Sequence, residues 1–420
     1  MNINTSSTPE LNLEQSRHPQ NFQTALISLM VLFFMMGFIT CLNDILVPYL
    51  KKAFTLNYKQ ASLIQSFFFG AYGLISIPSS IIINKLGYKK GMILGFTGAA
   101  MGCLLFFPAV TIHSYPVFLF ALFILASGIV LLQVTANPYV AILGPPETAS
   151  ARLTLNQAMN SVGTFIAPYF GTVLILSSLN DAGSSDAVKI PYLGIAFTLI
   201  LISLVISRIS LPEIKASDTD TSLNTDKDKY NSAWQHVHLL LGAVGIFMYV
   251  GAEVAIGSYL VNYLGLDDVA GLNEENAGLL LPYYWGGAMA GRFAGAYVLR
   301  IFSPGKVLAF NASAAITLIL FSINTTGNAA IYSMIAVGLC NSIMFPTIFT
   351  LAVKGLGKHT NQGSGILSTA IVGGAFIPLL QATLADMEGI GLRWAFLVPA
   401  VCYLYIVWYG LKGHSKRNQK

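Results

Sequence analysis

Charge is nearly absent from twelve long apolar stretches of this chain, and that placement restricts the fold more than any other feature. The stretches run over 25–50, 61–83, 91–110, 116–143, 153–178, 190–207, 239–263, 276–299, 307–324, 328–353, 363–385 and 394–411. The 23 Lys and Arg and 18 Asp and Glu make 41 charged residues, yet only Asp44, Glu253 and Arg292 fall inside a stretch. A helix needs about 20 mostly apolar residues to cross the hydrocarbon of a bilayer. Charged residues are 10% of the 420, against about 25% in ordinary soluble domains. That is too little to clothe a soluble surface of this size, which excludes a conventional cytosolic enzyme, a disordered chain and a disulfide scaffold. The expected fold class is all-α and integral to the membrane, with twelve transmembrane helices. Its first partner is the lipid bilayer.

Orientation follows from Lys and Arg, which accumulate on the cytoplasmic side. With the N-terminus inside, the cytoplasmic segments hold 17 of them and the outer loops five, while the acidic residues divide eight and eight. Both termini are therefore expected in the cytoplasm. The net charge of +5 is dispersed along loops as a topology signal, and a nucleic-acid partner is not expected. The first 24 residues lack the basic start and small-residue cleavage site of a signal peptide, so the first apolar run reads as a retained span. Cys41, Cys103, Cys340 and Cys402 all lie in spans and read as small packing residues.

The longest polar segment, 208–238, divides the spans six and six. The organisation read from this is a cytoplasmic tail at 1–24, a six-helix half at 25–207, a cytoplasmic linker at 208–238, a second half at 239–411 and a short tail at 412–420. The halves repeat. Val162-Gly163 and Pro168 recur as Val372-Gly373 and Pro378, at an offset of 210. Asn137-Pro138 is answered by Phe345-Pro346 at 208, and Asp44 by Glu253 at 209. Two parallel six-span repeats resemble the major facilitator architecture, in which substrate sits near the midplane between halves that rock about it. Gly287, Gly291 and Gly295, spaced by four, and Gly91, Gly95, Gly98 and Gly102 read as close helix-packing faces. Pro138, Pro168, Pro346 and Pro378 are expected to interrupt their helices. The loop from Asn84 to Lys90 resembles the superfamily's loop between spans two and three. That motif usually starts with Asp, whereas Asn84 stands here.

A charge near the bilayer centre costs at least ~2.5–3.5 kcal/mol on insertion scales, so it must find a partner or change protonation state. Asp44 and Glu253 place one carboxylate in each half. Either one, neutralised by a proton or alternatively by Na+, would couple an ion to a substrate. Arg292 reads as a structural charge. A second set is uncharged: Asn43, Gln65, Gln133, Asn137, Gln157, Asn160, Asn262, Asn341 and Gln381, with Tyr284 and Trp285 opening span eight. Amides exchange hydrogen bonds with hydroxyls, and rings cover the apolar faces of a sugar. The plainer reading of any one amide is interhelical glue, worth about 0.6 kcal/mol on average. The six histidines lie in tails, loops or span ends, and no phosphate loop or zincin motif is present. No enzyme, cofactor or resident metal is expected.

Several strings resemble the fucose–galactose–glucose:proton symporter family. They are Phe38 to Pro48, Phe69-Gly70-Ala71-Tyr72, Leu132 to Tyr139, Leu143 to Leu153, and Tyr249 to Ser258. The resemblance spans all twelve stretches and is nearest to the bacterial glucose/galactose transporters. Fucose-transporting members carry an acid where Gln133 stands here. Gln133 cannot take a proton, which moves the coupling role to Asp44, with Glu253 second. The resemblance implies sugar contacts for Asn43, Gln133 and Asn137. The expected function is import of a monosaccharide, D-glucose or D-galactose, by proton symport through alternating access. The expected setting is a monomer in a bacterial inner membrane. Sodium coupling, N-acetylglucosamine or another hexose, an uncoupled uniporter and a non-transporting sugar sensor are the alternatives.

Overall fold

A computed structural model describes residues 25–41, 58–171, 189–209 and 231–415. Those residues are helical with no strand. The first half holds α1 (Ala25–Cys41), α2 (58–86), α3 (88–111), α4 (Tyr115–Ile142), α5 (Ala149–Gly171) and α6 (Lys189–Arg208). The second holds α7 (Val237–Gly265), α8 (Leu281–Ile301), α9 (Pro304–Ile323), α10 (Asn328–Val353), α11 (Gly357–Ala385) and α12 (Gly391–Leu411). Eight described helical segments are long and apolar enough to cross a membrane, and one of them, Phe67–Thr111, includes both α2 and α3. The described part of α1 is short. Helices α5 and α8 are less apolar because α5 carries Asn156, Gln157 and Asn160, and α8 carries tyrosines, glycines and Arg292.

Between α2 and α3 the chain turns at Gly87, with φ of 80°, a conformation that favours a residue without Cβ. After α4, the freed carbonyls of the helix end are taken by Arg152 of α5. Its guanidinium donates to Ala141 O at 2.8 Å, Pro145 O at 2.8 Å and Val140 O at 3.3 Å. Helix ends leave such carbonyls without intrahelical partners. The Leu143 to Leu153 string is thus a connection tied down by its own arginine.

The repeat seen in the sequence has a physical counterpart. A Cβ on Gly163 would lie 2.1 Å from Phe34 O, and one on Gly373 would lie 2.2 Å from Phe247 O. Each glycine lets its helix meet backbone on a neighbour, α5 on α1 and α11 on α7. Helices in lipid gain little from hydrophobic attraction to one another, so close packing of this kind holds them. Gly163→Ala and Gly373→Ala are each expected to destabilise the purified protein by about 1–3 kcal/mol, the usual cost of overpacking. Gly286→Ala is the control, since a Cβ there meets nothing within 4 Å. Thermal melts in detergent that leave all three variants together would refute the packing role.

The prolines behave differently from one another. Pro138 lies inside an unbroken α4, and 168 is helical within α5. At Pro346 the helix does break, into Asn328–Asn341 and Met344–Val353. Pro378 lies in Gly373–Ala385, after a 3-10 turn at Ala370–Val372. Proline lacks the N–H that would satisfy the carbonyl four residues earlier. Those carbonyls are Val134 O and Ser342 O for the paired Pro138 and Pro346, and a side chain takes each. Ser364 Oγ donates to Val134 O at 2.9 Å, and Arg292 Nε faces Ser342 O at 3.4 Å. Helix α4 continues through its proline, with the freed carbonyl bonded from α11.

Candidate functional site

In the second half, four helices bring polar side chains into one buried cluster. Asn341 of α10 is its hub. Its Nδ2 donates to Tyr284 Oη of α8 at 2.8 Å, and its Oδ1 accepts from Tyr403 Oη of α12 at 2.6 Å. Its backbone carbonyl accepts from Tyr249 Oη of α7 at 3.2 Å. Tyr284 Oη also donates to Glu253 O at 3.3 Å. Asn341 and the three tyrosines are all but fully buried. Glu253 is largely buried, with its Oε1 3.9 Å from Arg292 Nη2. Trp285 stands beside Tyr284, ring centroids 5.1 Å apart, and its ring packs against Gly257 of α7.

The first half supplies a smaller group. Gln133 Nε2 of α4 donates to Tyr72 Oη of α2 at 3.0 Å. Tyr72 lies in a ring cluster, with centroids 5.7 Å from Phe68 and 6.5 Å from Phe69. Phe69 reaches the second half, against Gly374. One turn beyond Gln133, Asn137 is fully buried, and neither amide atom has a hydrogen-bond partner among the described residues. Gln381 of α11 is in the same condition. Such groups are costly when unpaired, and a ligand or water with hydroxyl chemistry would complete them.

The remaining sequence candidates separate. Asn160 Nδ2 donates to Phe33 O at 3.1 Å, which ties α5 to α1. Gln157 is half-buried, and its carbonyl accepts from Ser161 Oγ at 3.2 Å. Asn262 is exposed on α7, away from the cluster. Asn43 and Asp44 lie outside the described residues, as does the side chain of Gln65. Tyr72, Tyr249, Tyr403, Ser161 and Ser342 were not singled out in the sequence. Tyr249 was accessible to it, being i−4 from Glu253 on one helical face. Tyr403 carries no distinguishing sequence signal, since its span also holds Tyr405 and Tyr409.

The halves meet toward the end that carries the α2–α3, α4–α5 and α10–α11 connections. Asn361 Nδ2 donates to Asn84 Oδ1 at 2.8 Å, and Ser150 Oγ and Thr350 Oγ1 lie 2.6 Å apart. Ser364 bonds Val134 O as described, and Arg292 Nη1 donates to Ser161 Oγ. At the same end His236, before α7, has its imidazole pKa lowered, first by burial and then by neighbouring His359.

Two six-helix halves that meet along α2 and α11 and at the α2–α3 end, with buried amides, tyrosines and an acid between their helices, define a membrane-embedded carrier architecture. The chain belongs to the Major Facilitator Superfamily, whose model matches residues 27–378. It is 54% identical over 397 residues to a glucose/galactose transporter of Brucella abortus biovar 1 (strain 9-941), covering 94% of this chain and 95% of the relative. It is 35% identical to the L-fucose-proton symporter of Escherichia coli K12, covering 89% and 90%. Among solved structures, FucP in the outward conformation superposes with a TM-score of 0.83 at 33% identity, covering 93% of this chain and 99% of that one.

Proposed function

We propose that the chain imports D-glucose or D-galactose by proton symport, as a monomer in a bacterial inner membrane with both termini in the cytoplasm. The observation that carries this reading is the 54% identity, over nearly the whole chain, to a relative described as a glucose/galactose transporter. The residues agree with it. Gln133, Asn137, Gln381 and Trp285 offer hydroxyl-matching amides and a ring, and Glu253 is an acid held between helices. Asp44 is the first proton carrier and Glu253 the second. Asn43, Gln65 and Gln157 complete the proposed sugar-contact set, with Tyr284 and Asn341 acting through the hub, while Asn160 ties α5 to α1 and Asn262 faces away. In this reading the closed end is cytoplasmic, so the sugar enters from outside. Proton release inside follows once the halves have rocked.

The test is uptake of labelled D-glucose and D-galactose into proteoliposomes under an inward proton gradient and, separately, an inward sodium gradient. Accumulation above equilibrium with protons alone is expected. Accumulation with sodium alone moves the coupling ion to Na+ at the same carboxylates. Equilibration under both gradients makes the protein a uniporter.

A further inference from the structure

Arg292 faces three elements at once. Its Nη1 donates to Ser161 Oγ on α5 of the other half, and its Nε faces Ser342 O, the carbonyl freed by Pro346. Its Nη2 lies 3.9 Å from Glu253 Oε1, an oxygen with no hydrogen-bond partner among the described residues. A charge-assisted bond forms at about 2.7–2.9 Å, so the ion pair is not closed. The titratable groups facing the carboxylate are Tyr249 of α7, Tyr284 and Arg292 of α8, and Tyr403 of α12. Among the described residues Arg292 is the cation of that set. One of its bonds reaches the opposite half of the protein.

We propose that Arg292 is a positioning residue that ties the charge of Glu253 to the separation of the halves. With the α2–α3 end closed, Ser161 and the Ser342 carbonyl keep the guanidinium 3.9 Å from Glu253, short of a hydrogen bond, so it favours the ionised carboxylate less than a closed pair would. When the halves part at that end, α5 leaves α8 and the Ser161 bond breaks. The guanidinium then closes on Glu253, the carboxyl O–H bond breaks, and the proton passes to water in the opened cavity. An opposite charge within about 4–6 Å favours the ionised carboxylate. This proposal rests on the proton-symport reading.

Ser161→Ala, Arg292→Lys and Arg292→Gln test it in proteoliposomes, by initial uptake against external pH and by sugar exchange without a gradient. Ser161→Ala is expected to keep wild-type exchange. Its pH of half-maximal uptake should move about one unit toward acid, because the released guanidinium rests on Glu253 in both states. Arg292→Gln should lose accumulation, and Arg292→Lys, which keeps the cation, should recover at least half of it. A wild-type pH midpoint in both Ser161→Ala and Arg292→Gln would overturn the proposal, whatever happens to the rate. So would loss of exchange in both arginine variants with the Ser161→Ala midpoint unmoved, which would make Arg292 a packing residue. If wild-type protein fails to accumulate sugar on a proton gradient, the symport reading fails and this inference with it. Accumulation by wild type with unshifted variants removes this inference alone.

Discussion

Proteoliposomes carrying Asp44→Asn are expected to exchange D-galactose or D-glucose freely yet never concentrate it. Asparagine keeps the shape and much of the hydrogen bonding of the acid but cannot carry a proton. Free-energy coupling therefore disappears while the pathway remains. At one proton per sugar, each pH unit of gradient is 1.36 kcal/mol and sustains about tenfold accumulation. In the variant that ratio should fall to one at every gradient, since Glu253 releases in each cycle only the proton that Asp44 admits. Accumulation at wild-type level would remove Asp44 from the coupling role and leave Glu253 to carry it alone. Loss of exchange together with accumulation would make Asp44 part of sugar recognition or of the fold.

Asn341→Ala should damage both stability and transport, more than any single change to its tyrosine partners. The substitution removes the donor to Tyr284 Oη and the acceptor for Tyr403 Oη in a region sealed from water. Tyr403 Oη is left without a partner at a cost of about 1–3 kcal/mol, and the lost bond to Tyr284 and the cavity left behind add to it, so a loss of about 3 kcal/mol is expected. Tyr403→Phe leaves Asn341 Oδ1 unpaired and should cost about 1–3 kcal/mol without opening a cavity. Because Tyr284 also bonds the Glu253 carbonyl, loosening it frees the helix that presents the acid, and uptake should drop at least about tenfold. Thermal melts and initial uptake rates check both parts. An Asn341→Ala variant that melts with wild type would show that the hub is filled by water at no cost.

Much of the architecture could be read in the sequence because bilayer physics writes itself in one dimension. A stretch free of charge must be a helix crossing lipid, and α4, α7 and α10 fall close to where charge is absent. The recurrence of Gly163 at Gly373 anticipated a repeat, and the structure shows the shared cause: a backbone-to-backbone approach in each half. Side-chain partnership was far less legible. Asn160 and Gln133 look alike in sequence, yet Asn160 is spent on the α1 backbone and Gln133 holds a tyrosine. That distinction depends on which neighbour lies within 3 Å, which helical periodicity does not encode. Arg292 read as a structural charge, and only the packing of α8 against α5 and α10 shows that its bonds extend to both halves. Proline was also ambiguous. Pro138 and Pro346 remove the same bond and a side chain takes each freed carbonyl, Ser364 at the first and Arg292 at the second, yet the helix breaks only at Pro346.

The Asn84–Asn361 pair at the closed end has a consequence for the medium in which the protein works. Among the described residues, closure there rests on an amide pair and on serine, threonine and backbone groups, with Arg292 meeting a neutral hydroxyl. Dissolved ions screen interactions between exposed charges over about 8 Å at physiological ionic strength, whereas short contacts between dipoles offer them little to screen. The balance between open and shut at this end is therefore set by geometry and hydration. It stays where it is when the salt content of the solution bathing that end changes.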